Sequence, residues 1–444
     1  MTMFLHSSLV LAAVVVAFAI SKKYRMSTEL SMFISALIGL AAHVLLPKGV
    51  DPRSALPFTE MVRHVVEGSF TYFDVCLTFL TATFFMMLYK ASGGVAYIVR
   101  CIVRSFHSRR LICLLFLTLL MLVPGAITGS GATTVLTVGS LVGSVLMAMG
   151  VDEDRRVALI FLLAAMSAAC PPINLWAMMA AAGANMPYVG FAAPLALMSI
   201  AGALFSTFWL AGRGKPIDLD QAMAELPEAP EGWSWVKAVL PFAVLVGLIL
   251  AGRLFPFNFP ILGLPLVFMI AALTVILLSP VKLRVIDVAC QTVENLLGLV
   301  GAMVVVGILI QILALSGARG LLSLMVVTLP LTVLYATLWL ILPLSEGVLQ
   351  YAVAPLFGVP LIMLFNMLGL DPVVSLATWS VMWPVGDFLP PTAVVGRAAV
   401  MELDYKGDYW RGFVKAAVVP MVFILALCTL CMVYSKELAA VIGG

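Results

Sequence analysis

The sequence predicts an all-α polytopic membrane protein: an inverted repeat carrying two re-entrant hairpins and two broken helices. Three observations predict it: composition, a recurrence of glycine and proline spacings, and the placement of basic residues. Of 444 residues, 63% are hydrophobic and 11% are charged, whereas soluble domains run at roughly 45–50% apolar and about 25% charged. No water-soluble fold buries so much apolar surface, and mean hydropathy is +1.13. Composition therefore excludes a nucleic-acid binder, a secreted disulfide scaffold and an ordinary soluble enzyme. The apolar runs are continuous, unlike the alternating strands of an outer-membrane barrel.

A spanning helix needs about 20 apolar residues. Such runs lie at 7–21, 27–46, 69–90, 187–212, 236–254, 260–279, 296–314 and 412–435. The first follows a start without Lys or Arg and precedes Lys22, Lys23 and Arg25. That order is the reverse of a signal peptide's and predicts a retained span. Residues 51–68 and 281–295 are amphipathic and read as arms lying on the membrane surface. Two long apolar runs are interrupted by small polar residues: 111–149 at Thr128-Gly129-Ser130-Gly131, and 319–368 at Pro343-Leu344-Ser345-Glu346-Gly347. These read as re-entrant hairpins. Two further helices, 154–184 and 372–402, are broken by Pro171-Pro172 and Pro390-Pro391. The polar stretch 213–235 reads as a linker. The expected organisation is scaffold helices and an arm (1–68), a first repeat (69–212), the linker, scaffold helices and an arm (236–295), a second repeat (296–411) and a last span (412–444).

The halves match internally. Gly139, Gly150 and Pro171 are spaced by 11 and 21, and so are Gly358, Gly369 and Pro390. Met-Gly-Val-Asp at 149–152 meets Leu-Gly-Leu-Asp at 368–371. Basic residues collect in cytoplasmic loops. With both termini periplasmic and both hairpins re-entrant, 18 of the 25 basic residues lie inside. Six lie outside (48, 53, 63, 253, 319 and 436), and Arg397 stays at membrane depth. The hairpins then open to opposite faces.

Irregular backbone at membrane depth survives only where protein buries it or water reaches it. In carriers built from such repeats, half-helix N-termini face anions and unwound carbonyls hold cations. Thr128–Gly131 with 168–174 should form one site, and Ser345–Gly347 with Gly386–Thr392 its mirror. Thr128, Ser130, Ser345 and Thr392 offer hydroxyls; the prolines leave upstream carbonyls without an amide donor. Ionisable residues inside the membrane are functional candidates. Glu346 and Asp387 stand on the two motifs of the second repeat, where they can bind a cation or proton, or pair structurally. Arg397 can hold a carboxylate or neutralise Asp387, with neutralisation favoured. Asn174 can bind substrate or cap the helix after Pro172. Asp74 and Lys90 read as interfacial, Trp176, Trp379 and Trp383 as packing, and the seven cysteines as buried apolar residues.

The run from Pro124 to Ser140 (PGAITGSGATTVLTVGS), with Ala169-Cys-Pro-Pro-Ile-Asn and Asp408-Tyr-Trp-Arg-Gly-Phe, resembles the large membrane subunit of TRAP transporters (tripartite ATP-independent periplasmic transporters), within the ion-transporter superfamily. The resemblance covers nearly the whole chain. It implies an elevator-type secondary transporter of the inner membrane that imports an organic acid anion, such as a C4-dicarboxylate, with sodium. A periplasmic binding protein would deliver the anion, and a small four-helix membrane subunit would complete the scaffold. Carried over, ion-binding positions are Gly129, Ser130, Gly131, Ala169 and Pro171, then Ser345, Gly347, Gly386 and Pro390. Substrate would meet Thr128, Asn174, Glu346, Asp387, Thr392 and Arg397. Members often carry Ser at the position of Gly131, Thr at that of Leu389 and Asp at that of Gln350, and lack charge at that of Glu346. The alternative is a stand-alone proton- or cation-coupled carrier or antiporter. Neither reading needs a cofactor beyond the coupling ion, Na+ or H+. Enzyme chemistry is not expected: HExxH, GxSxG and Walker motifs are absent, and the four histidines (His6, His43, His64, His107) do not cluster in sequence.

Overall fold

The computed structural model describes residues 3–46, 58–214, 217–255 and 257–442. Among these, ten helical segments are long and apolar enough to cross a membrane, and no strand occurs. The chain is a multi-pass, all-helical membrane protein. α1 (Met3–Lys23) and α2 (Thr28–Leu45) pair, followed by α3 (Phe58–Phe70), α4 (Phe73–Ala91) and the amphipathic α5 (Gly94–Phe106). The first hairpin enters through α6 (Arg110–Thr128) and turns at Gly129-Ser130. It returns through α7 (Gly131–Thr134), a π-helical segment (Val135–Gly139) and α8 (Ser140–Ala148). The first broken helix is α9 (Glu153–Ala169) and α10 (Leu175–Gly183). α11 (Ala192–Ala211), the linker helix α12 (Leu219–Glu225), α13 (Trp235–Leu254), α14 (Gly263–Leu278), α15 (Val285–Leu315) and the short α16 (Ala318–Val327) follow. The second hairpin enters through α17 (Leu331–Leu349) and turns over Gln350–Ala352. It returns through a π-helical segment (Ala354–Gly358) and α18 (Val359–Met367). α19 (Pro372–Val385) and α20 (Val394–Glu402) form the second broken helix; α21 (Lys415–Val433) and α22 (Ser435–Ile442) end the chain.

The repeat is visible at the level of elements. The two π-helical segments, α8 and α18, α9 and α19, and α10 and α20 all start 219 residues apart. Both prolyl pairs are cis. Beyond its charged first turn α9 is apolar on nearly every side, as is α19, and every residue from Val157 to Ala169 and from Val374 to Val385 is buried, as expected of helices at the centre of a bundle. α6, α11, α17 and α21 pack around them. A second group, α1–α4 and α13–α15, forms a frame alongside. Within it α3 crosses α15 at two glycines: a Cβ on Gly307 would stand 2.1 Å from the Gly68 carbonyl oxygen.

The hairpins open on opposite faces. The Arg110 guanidinium, at the base of the first hairpin, donates to the carbonyls of Met149 and Ala211. Beside that base, Glu153 and Asp154 of α9 bind Lys406 N and the Tyr405 hydroxyl, just ahead of α21. The base of the second hairpin, at Gly369, lies by Lys436 beyond the other end of α21. The 19 residues of α21 separate these ends by about 28 Å at roughly 1.5 Å per residue.

Three sequence expectations change. Residues 281–295 are not a surface arm, because α15 runs unbroken from Val285 to Leu315. No Pro or Gly interrupts its polar first turns, so these turns belong to one helix with the apolar run that follows. The second hairpin starts at Leu331, not at 319, because Pro330 separates α16 from α17. Its turn falls at Gln350 rather than at 343–347. Of the arm expected at 51–68, residues 51–57 lie outside the described residues, and 58–70 form α3, packed on α15. Lys48, Arg53 and Lys215 also lie outside them. The linker docks on α5, where Arg100 donates to the carbonyls of Leu226 and Pro227.

Candidate functional site

A cavity of about 220 Å³ lies where the hairpin turns meet the frame. The first turn contributes Ser130, Ala132, Thr133 and Leu136; the second contributes Gln350 and Tyr351; α20 contributes Val394. The frame supplies Phe79, Thr83 and Met87 of α4, Asn295, Leu296, Gly298 and Leu299 of α15, and Glu29 of α2. Glu29 sits in the first turn of α2 and Met87 in the last turns of α4. The cavity therefore lies toward the face that carries Lys22, Lys23 and Lys90. Its polar lining is hydroxyl and amide, with one carboxylate. The Thr83 hydroxyl is buried without a partner.

The first turn is built for close packing. Gly129 adopts φ +70, and a Cβ there would stand 2.6 Å from Leu175. A Cβ on Gly131 would stand 2.9 Å from the Ala164 carbonyl oxygen of α9. Ser130 caps α7 by accepting from Thr133 N at 3.3 Å. The Thr128 hydroxyl turns back to the Pro124 carbonyl at 2.8 Å and accepts from Ser130 N at 3.2 Å. The Ser345 hydroxyl likewise bonds the Leu342 carbonyl of its own helix at 2.7 Å. These hydroxyls serve local backbone.

The breaks are tied by side chains. Asn174 is fully buried. It accepts from Ala177 N at 2.8 Å, capping α10, and donates to the Ala169 carbonyl at 3.1 Å. The capping alternative is the one observed, and the carbonyl two residues before Pro171 is already held. The Tyr188 hydroxyl accepts from Asn174 N and donates to Pro172 O. At the second break the Tyr409 hydroxyl donates to Phe388 O at 2.6 Å. Thr392 spans to the hairpin: its hydroxyl donates to Gly347 O at 3.0 Å. A Cβ on Gly386 would stand 1.9 Å from the Pro343 carbonyl oxygen.

Glu346 and Asp387 meet here, both fully buried. Glu346 accepts from the Trp176 indole at 2.9 Å, and Asp387 accepts from Val394 N, the first amide of α20, at 2.9 Å. The expected neutralisation of Asp387 by Arg397 is not formed: Arg397 is exposed and donates to Pro391 O at 3.4 Å. The left-handed turn at Ala393 (φ +47) sets α20 so that Asp387 lies under its N-terminus and Arg397 on its outer side. Arg397 lines a separate hollow with Pro390, Ala393, Tyr409 and Trp410.

Sequence reasoning missed Thr83, Asn295, Glu29 and Tyr351. They lie in ordinary apolar or terminal positions, and only Tyr351 stands near a motif. It also missed His6 and His43, whose ring nitrogens approach to 3.0 Å within the frame. Asp74 and Lys90 are exposed, and Lys90 donates to the Leu136 carbonyl. Trp176, Trp379 and Trp383 are buried.

No known protein family matches the sequence, and no curated protein matches it. Solved structures do. MtrF of Neisseria gonorrhoeae, described as illuminating a class of antimetabolite efflux pumps, superposes with a TM-score of 0.64 at 14% identity, over 91% of this chain and 94% of its own. The YdaH transporter of Alcanivorax borkumensis superposes with a TM-score of 0.63 at 13% identity, over 91% of this chain and 98% of its own. Across nearly its whole length, the chain has the fold of these two membrane proteins.

Proposed function

We propose that the chain is a secondary active transporter in which the hairpins and broken helices carry a small organic acid anion past the frame, driven by a cation gradient. One observation carries this reading. The cavity is bounded by both hairpin turns, by α20 and by frame helices, so a bound solute touches both repeats and the frame at once. Substrate would meet the α7 N-terminus at Ser130, where amide groups favour an anion, with Thr133, Thr83, Asn295 and Gln350 as hydrogen-bond partners. Arg397 and Asn174 are not placed to touch it. The resemblance to TRAP membrane subunits supports sodium as the driving ion, at Gly129–Gly131 and at Gly347 with Gly386, and a binding protein and small subunit as partners in the bacterial inner membrane.

A second reading is a stand-alone carrier. The structural neighbours favour it, because this chain aligns with 94% and 98% of their lengths. The test is uptake of a panel of labelled mono- and dicarboxylates into proteoliposomes holding the chain alone, with sodium or potassium outside. Sodium-driven uptake that appears only with an added binding protein and small subunit supports the first reading. Uptake by the chain alone supports the second. No gradient-driven flux of any anion, with or without partners, overturns both.

A further inference from the structure

Glu346 and Asp387 are 0% and 1% exposed, and they stand on elements in backbone contact. A Cβ on Gly386 would lie 1.9 Å from Pro343 O, and one on Gly347 would lie 2.5 Å from the Leu389 Cβ. These contacts bracket the pair, and the two carboxyls feel each other electrostatically. Each acid has one oxygen engaged, by the Trp176 indole and by Val394 N respectively. The other oxygens, Glu346 Oε1 and Asp387 Oδ2, are buried without a partner.

No base compensates them. α10, α11 and α18 carry no charged residue. The charges of α9 sit in its first turn and that of α21 at its start. The titratable groups that act on the pair are Tyr351 and Tyr409, and Arg397 acts on Tyr409 rather than on the pair. Tyr409 is spent on Phe388 O, and Arg397 is exposed on Pro391 O. Two facing carboxylates cannot both stay charged in such surroundings without a proton or a cation between them. The carbonyls of Glu346 and Gly347 accept from Thr392. A proton needs only the two free carboxyl oxygens.

We propose that Glu346 and Asp387 share one exchangeable proton between Oε1 and Oδ2, and that this is the coupling proton of the carrier. The coupling clause rests on the transport reading above, with H+ rather than Na+ as the driving cation; the proton site does not. With the proton present, one acid donates to the other and the second hairpin closes on the break at Gly386–Thr392. When the proton leaves for water, two anions remain at a backbone contact and push the hairpin from the break. Tyr351 links this event to the cavity. It lines the cavity, it reaches the Ser130 side chain, and its ring packs at a 34° tilt against Trp176, with a centroid distance of 4.8 Å.

The test is infrared difference spectroscopy of the full chain in lipid nanodiscs, titrated with acid and base in sodium-free potassium buffer. Wild type should show a protonated-carboxyl carbonyl band that disappears as pH rises. Glu346→Gln and Asp387→Asn should each lose it; both substitutions keep an oxygen for Trp176 or Val394. Trp176→Phe should keep the band and move its titration. Should a variant fail to fold by thermal melting, carbon-13 labelling of Glu or Asp carboxyls in the wild type must shift the band instead. No such band, a band indifferent to both variants and to both labels, or a band removed by sodium at constant pH overturns the proposal. The readout needs no transport. A titrating band with no anion flux sinks the transport reading alone, and flux without the band sinks the proton site alone.

Discussion

At the scale of single residues, the two broken helices solve one problem with different side chains. A helix restarted after a double proline needs an acceptor for its first amides. In the first repeat Asn174 supplies it from the cap position itself. The equivalent position of the second repeat, 219 residues on, is Ala393, which has nothing to offer, and Asp387 reaches across the break to Val394 N instead. The Pro-Pro-Ile-Asn spacing made the first cap legible. The second was not legible, because nothing local in sequence says that Ala393 turns left-handed and carries Arg397 away from Asp387. Loss of the Asn174 side chain leaves buried Ala169 O and Ala177 N of α10 without these partners. Asn174→Ala should therefore cost about 1–3 kcal/mol, read as a lower melting temperature in detergent, whereas Asn174→Asp, which keeps the acceptor, should lose less. Gly298 gives the opposite expectation. It lines the cavity, and a Cβ there meets nothing within 4 Å. Gly298→Ala should hold or slightly raise stability, by up to about 1 kcal/mol of helix propensity, while lowering the apparent affinity for any solute that fills the cavity.

At the scale of elements, the hairpins differ by their turns. α8 and α18, and both π-helical segments, keep the 219-residue offset, but α6 and α17 end 221 apart. The first turn therefore holds two residues, Gly129 and Ser130, that the second lacks. Without them α17 runs on through Ser345, Glu346 and Gly347, and Gln350 makes the turn alone at φ +54. Small polar residues marked the second break in sequence, yet a helix with its flank buried against the Gly386 segment tolerates them, so the expected loop is helical. The same principle hid the length of α15: polar first turns imply a boundary only where a breaker supports it. The glycine at the contact is the element's weak point. Gly386→Ala drives a Cβ into the Pro343 carbonyl, and overpacking typically costs roughly 1–3 kcal/mol. Gly247→Ala on α13, with open space around it, should be neutral or mildly stabilising. Paired melting curves check this, and equal effects of the two substitutions would refute the assignment of Gly386 as a backbone contact.

At the scale of the whole molecule, the legible feature was the repeat. Glycine and proline spacings survive because they mark backbone events, whereas the frame has no such markers, and its helices differ from one another only in packing. On the proposed transport reading, two hairpins opening on opposite faces, with a cavity toward the basic face, are one of two states. In the other the hairpins would exchange roles, so the first turn would become accessible from the opposite face while the frame keeps its place. This predicts an asymmetry in labelling. In a background with Cys290 and Cys101, the two cysteines that are not buried, replaced by serine, Thr133→Cys places a thiol on the moving first turn and Glu29→Cys one on the frame. Both line the same cavity. In sealed, uniformly oriented vesicles, a membrane-impermeant maleimide added on the basic face should modify both. Added on the opposite face under a transport-driving gradient, it should modify Thr133→Cys and leave Glu29→Cys unreacted. Were both to react from both faces, the cavity would be a fixed pore, and were neither to react from the far face, the hairpins would not move relative to α4 and α15.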